Sequence, residues 1–276
     1  SGYRVGLFTS PHLVQFGERI QVNRVPLPDA DLLELVNQIR RAFMDLPEDS
    51  HPTFFEVVTV IGLLYFRAKG CEIVAWETGM GGRLDATNIV TPKLSVITNV
   101  SLDHQKWLGE TESEIAREKA GIIKPGIPLV HGVQSGDARA IVERVAKKSG
   151  AAIHCVDAAE IEGVLAGETV GLQGSHQRMN AAIAWTGVQA LKGDFPFSVE
   201  SRSQGLAKTE WAGRLQVIQR GGREILVDGA HNEDSVRALC DYLDSGWLEH
   251  PIPFVFGVLE DKGIERWLGH LVERAS

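Results

Sequence analysis

The stretch Ile73-Val-Ala-Trp-Glu77-Thr-Gly-Met-Gly-Gly82-Arg-Leu-Asp-Ala-Thr-Asn88 carries a short apolar run into a carboxylate and then into a glycine-rich polar loop. A run of that length, rich in branched residues and bounded by turn residues, reads as a strand buried in a sheet. Comparable runs lie at 5–9, 94–99, 129–131, 153–156, 225–228 and 254–258. Helical spacing separates them. Pro28-Asp29 precedes Leu32, Leu33, Val36, Ile39 and Phe43, and Thr53-Phe-Phe-Glu56 has capping-box spacing at the start of a helix that ends at Gly70. Further helices are expected at 112–120, 137–149, 177–191, 233–244 and 264–274. This alternation predicts an α/β fold, a parallel sheet covered by helices. Residues 196–222 turn richer in Ser, Gln, Gly and Arg before a new strand-then-helix pattern at Ile225, which puts a domain boundary near Trp211.

At roughly 100–200 residues per domain, 276 residues make one large or two ordinary domains. The 43% hydrophobic and 23% charged content is globular, which sets the disordered class aside. The longest nearly unbroken apolar run, Val57 to Phe66, is far short of the ~20 residues of a membrane span. With 36 acidic against 28 basic residues the net charge is -8 and no basic cluster stands out, so no nucleic-acid partner is expected. Cys71, Cys155 and Cys240 are far apart and form no paired metal spacing, which fits a reducing, cytoplasmic compartment. The chain opens Ser-Gly-Tyr-Arg-Val without an initiator Met or a secretory signal, and the expectation is that it begins mid-domain.

In open α/β sheets ligands bind outside the carboxyl ends of the strands. Those positions here carry Thr9-Ser10-Pro-His-Leu13, Glu77 and its loop, Asn99 to Asp103-His104, and Asp228-Gly-Ala-His231. Glu77 closes an apolar strand, where an unpaired carboxylate is costly to desolvate; it either binds a metal or caps the loop or pairs with Arg83. The Gly79-Met-Gly-Gly82 loop lacks the dinucleotide spacing. Asp103-His104 reads equally as a helix cap with a surface histidine or as a site. Ser10, Glu77 and His104 offer two oxygens and a nitrogen, a set that suits hard Mg²⁺ with water and phosphate better than zinc. By composition Lys119 is an ordinary solvated helix lysine and Glu56 a capping acid. Arg214 stands near the boundary, able to reach a phosphate or form a salt bridge, and Asn180 is weak by itself.

Taken together and in order, these segments resemble folylpolyglutamate synthase and dihydrofolate synthase of the Mur ligase superfamily. Carrying the likeness are Phe8-Thr-Ser-Pro-His-Leu-Val with Phe16-Gly-Glu-Arg-Ile, Thr53-Phe-Phe-Glu56, Glu77 to Asn88, Leu102-Asp-His-Gln-Lys-Trp-Leu-Gly, Arg117-Glu-Lys-Ala-Gly-Ile-Ile-Lys-Pro-Gly, His176-Gln-Arg-Met-Asn-Ala-Ala, Trp211-Ala-Gly-Arg-Leu and Val227-Asp-Gly-Ala-His-Asn.

The resemblance implies a Mur-ligase-like parallel-sheet ATPase domain over residues 1–210, followed from 211 to 276 by the start of a smaller Rossmann-like glutamate-ligase domain. It implies an ATP-dependent ligase that adds L-glutamate to a folate or to dihydropteroate through an acyl phosphate. Ser10, Glu77 and His104 match Mg²⁺ ligands, and Lys119 matches a lysine carboxylated on its amine, an oxygen ligand for a second Mg²⁺. Asn180, Arg214 and Asp228 match residues that hold ATP. Thr53, Phe54, Phe55 and Glu56, with Leu84, Asp85 and Ala86, match the lining of the pterin-containing substrate; His231 faces the reacting groups, and the Ser-Pro-His-Leu loop and Arg19 shape the same pocket. Enzymes of this kind are usually monomers. The sequence departs from the pattern in having no Gly-Thr-Asn-Gly-Lys-Gly-Ser phosphate loop and a short second domain, so turnover is expected of a longer parent enzyme and not of this stretch alone. The rival readings are a cell-wall amino-acid ligase of the same superfamily and a non-catalytic pterin-binding module.

Overall fold

The computed structural model describes residues 2–134, 136–247, 251–258 and 264–275. It comprises two compact units, Ser1–Pro92 with Glu118–Ile122, and Lys93–Arg117 with Ile123–Ser276.

The first unit holds β1 (Val5–Phe8), β2 (Ile20–Val22), β3 (Val25–Pro26), α1 (Asp29–Phe43), α2 (Phe54–Ala68) and β4 (Ile73–Trp76). Its sheet runs β3-β2-β1-β4. β1 and β4 are parallel with Phe8 opposite Trp76, while β2 and β3 pair antiparallel. The sequence predicted β1 and β4 but not the β2–β3 hairpin. Its turn, Asn23-Arg24, has positive φ at both residues, 49° and 69°, as a type I′ turn requires, yet lacks the glycine that normally announces one.

α2 starts as its sequence predicts. Thr53 N–H donates to Glu56 Oε2 at 2.7 Å and Glu56 N–H to Thr53 Oγ1 at 3.3 Å; the Thr53 amide, helped by the Thr53 hydroxyl, holds the Glu56 carboxyl below its ordinary range. It ends in a Schellman turn, with Gly70 at φ 63° and Cys71 N–H donating to Phe66 O. The apolar faces of α1 and α2 close over the sheet around Phe8, Ile20, Leu35, Ile39, Val58, Ile61 and Phe66, and Phe8 stacks on Trp76 with ring centroids 4.2 Å apart.

The second unit continues with β5 (Ser95–Ile97), α3 (Gln105–Leu108), α4 (Glu112–Ala120, its end in the first unit), β6 (Leu129–His131), α5 (Gly136–Lys148), β7 (Ile153–Cys155), α6 (Ile161–Val164), α7 (Ser175–Ala190), α8 (Val199–Ala207), β8 (Gln216–Arg220), β9 (Arg223–Val227), α9 (Glu233–Tyr242) and α10 (Leu268–Val272). β5, β6 and β7 are parallel, in register Ile97↔His131↔Cys155, and α7 packs Ala181, Ala182 and Ile183 into a core with Val130, Val156 and Leu165. β8 and β9 form an antiparallel hairpin through Gly221-Gly222, both at positive φ. Glycine pairs between β-branched runs signal such a hairpin; the compositional shift over 196–222 masks β8, and only β9 is among the predicted strands.

α8 was missed because its Ser- and Gln-rich sequence has no apolar stripe. The strand expected at 254–258 is irregular, and its Phe254, Phe256 and Val258 pack instead against Val236, Trp267 and Leu271. Among the described residues no helix is long and apolar enough to cross a membrane.

Candidate active site

In the first unit the parallel pairing of β1 with β4 sets the two strand ends side by side. Ser10 and Glu77 follow them, and Ser10 N–H donates to Glu77 Oε2 at 2.8 Å. Glu77 is exposed, so the desolvation cost that singled it out in the sequence does not arise. Arg83, its suggested partner, instead makes a two-pronged bridge to Glu118, from Nη2 at 2.9 Å and Nε at 3.1 Å.

That bridge is one of several bonds fastening the loop after β4 to the end of α4. Arg83 N–H donates to Glu118 O at 2.8 Å, and Asn88 Nδ2 donates to Gly121 O at 3.1 Å. The glycines make the approach possible. A Cβ on Gly82 would stand 2.9 Å from Glu118 O and 3.0 Å from Lys119 O, and one on Gly121 only 2.5 Å from Arg83 Cα. The glycine-rich loop is thus a seat for the turn that carries Lys119. Asp85 knits the same loop, accepting from Met80 N–H and Thr87 N–H, both at 2.9 Å, and Leu84 beside it is 79% exposed. Ala86 opens a short 3-10 turn, Ala86–Ile89.

Phe54 is 65% exposed at the start of α2, with the Arg19 guanidinium 5.8 Å from its ring centroid and Phe16 edge-on at 6.4 Å. Arg19 Nε also donates to His12 Nδ1 at 2.8 Å. Phe55 points the other way: its ring bears on Gly79 and on the core around Phe8. Glu18 orders the preceding loop by accepting from the amides of Leu13, Val14 and Gln15 at 2.8, 3.0 and 2.7 Å, which holds its carboxyl below the usual range. This role of Glu18 is not among the sequence expectations; its three-residue spacing from Gln15 is the signal that announces it.

The second unit gathers a different set. His104 sits in the left-handed region, φ 50°, just before α3, a conformation that costs a side-chain-bearing residue energy and concentrates at functional sites. Asp103 accepts the His104 amide at 2.7 Å and Asn232 Nδ2 at 2.9 Å. His104 Nε2 and His231 Nε2 lie 4.0 and 3.7 Å from its carboxylate. Asp103 is therefore a junction between segments 129 residues apart as well as a cap. His231 Nδ1 donates to Gly229 O at 2.8 Å, so that its proton lies on Nδ1.

Asp228 accepts from Leu215 N–H and Ala230 N–H, both at 2.8 Å, and Arg214 Nη1 passes beside Gly229. Burial pushes the His176 imidazole below its ordinary value, with Asp228 opposing and Arg214 reinforcing the shift. Asn180, exposed on α7, donates to Gln177 Oε1 at 3.2 Å.

A family model described as Mur ligase, glutamate ligase domain, matches residues 213–275. The dihydrofolate synthase/folylpolyglutamate synthase of Bacillus subtilis is 37% identical over 98% of this chain and 68% of its own length. The folylpolyglutamate synthase of Lacticaseibacillus casei is 37% identical over 95% of the chain and 66% of its own length. A solved FPGS-AMPPCP-folate complex superposes with a TM-score of 0.90 at 33% identity, over all of this chain and 72% of that one. The chain thus spans about two thirds of the length of the curated relatives it matches. Fold, sequence and motif order agree, and the chain belongs to the family of folylpolyglutamate and dihydrofolate synthases among the Mur ligases.

Proposed function

We propose that the protein is an ATP-dependent carboxylate–amine ligase that joins L-glutamate to a folate, to dihydropteroate, or to both. The observation that carries this reading is the pairing of Ser10 with Glu77 at adjacent strand ends, beside a loop seated on the Lys119 turn. A relative of known structure holds AMPPCP and folate together, which supports ATP and folate as substrates. Residues 1–210 form the ATP- and folate-binding part and the segment from 211 begins the glutamate-ligase domain, a division supported by the family match over 213–275.

Ser10, Glu77 and Lys119 fit Mg²⁺ by donor type. A hydroxyl and a carboxylate are hard oxygen donors, and Lys119 becomes one when its amine takes up CO₂ as a carbamate and releases a proton. His104 joins the two-Mg²⁺ set on the sequence resemblance alone. When bound, Mg²⁺ neutralises crowded phosphate and carboxylate oxygens. Asn180, Arg214 and Asp228 hold ATP, Arg214 by its planar fork. Thr53, Phe54 and Glu56, with Leu84, Asp85 and Ala86, line the pterin-bearing substrate, where exposed Phe54 and the neighbouring Arg19 offer a face for a flat ring; Phe55, grouped with them by the resemblance, turns its ring to Gly79 and the core. ATP phosphorylates the substrate carboxylate, the glutamate amine attacks the acyl phosphate and phosphate leaves. On the sequence resemblance His231 belongs to the loop that serves the reacting groups, and its proton is on Nδ1. The protein acts as a cytoplasmic monomer.

The experiment is an acceptor panel. Glutamate-dependent ADP release is followed with dihydropteroate, tetrahydrofolate and a nucleotide-linked cell-wall precursor. In a complete enzyme turnover with a pterin acceptor and Mg²⁺ is expected; turnover with the nucleotide acceptor alone would refute the folate assignment, and pterin binding without ATP binding would leave a binding module.

A further inference from the structure

β6, β7 and α5 bring together three metal-ligating side chains, none of them among the residues assigned above. His131 on β6 is wholly buried and stands directly across the ladder from Cys155 on β7; Glu143 reaches toward them from α5. One ligand atom from each lies within 4.8 Å of the other two. His131 Nε2 is buried and makes no hydrogen bond, a costly state that native interiors seldom leave unexplained.

An ion pair with Glu143 does not account for it, because the separation is 3.9 Å and burial pushes the imidazole toward its neutral form. The Glu143 carboxylate is shared: Arg139 Nε donates to Oε1 at 2.9 Å and Lys147 Nζ is 3.7 Å from Oε2. Arg139 is itself drawn toward Asp157 by a 2.6 Å bond from Nη1, so it has a second anchor when the carboxylate turns. Burial also keeps the Cys155 thiol protonated above its ordinary range.

We propose that His131 Nε2, Cys155 Sγ and one Glu143 carboxylate oxygen bind a single divalent cation of the zinc class, with water as a fourth ligand. The donor set selects the metal. A thiolate and an imidazole suit Zn²⁺ and disfavour Mg²⁺ and Ca²⁺. Tetrahedral bonds of about 2.0–2.3 Å put donors roughly 3.3–3.6 Å apart, so the three side chains need to close by about 1 Å from their present spacing. Binding replaces the thiol proton, which leaves to solvent, and places the imidazole proton on Nδ1. The contact given up there, from Val133 N–H at 3.4 Å, is long. The bound ion staples the middle of the β5-β6-β7 sheet to α5.

Co²⁺ is the probe, added to the full chain after stripping with a chelator. A sulfur-to-cobalt charge-transfer band in the near ultraviolet is expected at one Co²⁺ per chain, and one equivalent of Zn²⁺ should abolish it. Cys155→Ala should remove the band, and Glu143→Gln, which keeps the side chain's size and can still accept from Arg139, should weaken Co²⁺ binding at least tenfold. No sulfur band in the wild type, or a band that persists in Cys155→Ala and so belongs to Cys71 or Cys240, overturns the proposal. An oxygen-and-nitrogen Mg²⁺ site yields no such band, so the result is independent of the ligase reading.

Discussion

Glu77 and Lys119 are the residues on which the proposed chemistry turns. Lys119 has an ordinary local sequence, and Glu77 stands out only for closing an apolar strand; in the structure Glu77 is distinguished by the Ser10 amide on its carboxylate and Lys119 by a turn pressed against Gly82. In a complete enzyme Glu77→Ala is expected to lower Mg·ATP-dependent glutamate ligation more than about 100-fold, since losing a metal ligand exceeds the 10- to 100-fold cost of losing an outer-shell partner. Unchanged turnover with ordinary Mg²⁺ dependence would remove Glu77 from the ligand set. Lys119→Ala should fail similarly and regain part of its rate with added short carboxylates, which replace the carbamate oxygen; absence of rescue leaves the carbamate without support. Glu18 acts one step back. In Glu18→Ala the amides of Leu13, Val14 and Gln15 should exchange hydrogen faster while the rest of the first unit keeps its protection; unchanged exchange would show that the loop does not depend on the carboxylate.

At the scale of elements, the helices were the most legible because their caps are local chemistry. The Thr53–Glu56 box was readable from four residues and forms as read. Thr53→Ala should cost about 1 kcal/mol in urea unfolding. The loop between β4 and its short 3-10 turn is less legible for the opposite reason. The dinucleotide reading of its glycines fails on spacing, and the role they do have, clearance for a backbone 35 residues away, the separation of Arg83 from Glu118, is not local. Gly82→Ala forces a methyl against two carbonyl oxygens and should destabilise the protein by about 1–3 kcal/mol. If the Lys119 turn is positioned by this contact, kcat falls in the same variant with little change in KM for ATP; a variant with normal stability and kcat would disprove the seat. The hairpins were opaque or overlooked: Asn23-Arg24 takes positive φ under tertiary constraint, while Gly221-Gly222 was in plain view.

For the molecule as a whole, one buried and one half-buried imidazole shape the response to mild acid. His131 and His176 are both pushed below their ordinary values, chiefly by burial. Around His131, Glu143 and Asp157 pull upward and Arg139 downward, without reversing the shift. The unfolded chain takes up these protons as pH falls through about 6.5, while the folded protein resists until lower pH. Stability is therefore full above the unfolded value and declines as pH drops toward the folded ones. With chelator present, urea midpoints should fall from pH 7 to pH 5, and His131→Leu should flatten part of that slope; an identical slope in the variant would acquit His131.

The sequence by itself determined the α/β class, most of the helices and parallel strands, and the family, because these rest on apolar periodicity, caps and ordered motifs that are written locally. Only the tertiary structure decided which polar residues meet. Asp103 with Asn232 and His231, Arg83 with Glu118, and His131 with Cys155 and Glu143 are pairings between distant segments. Their distances follow from strand register and helix packing, which depend on the sum of many small burial terms and not on any short stretch of chain.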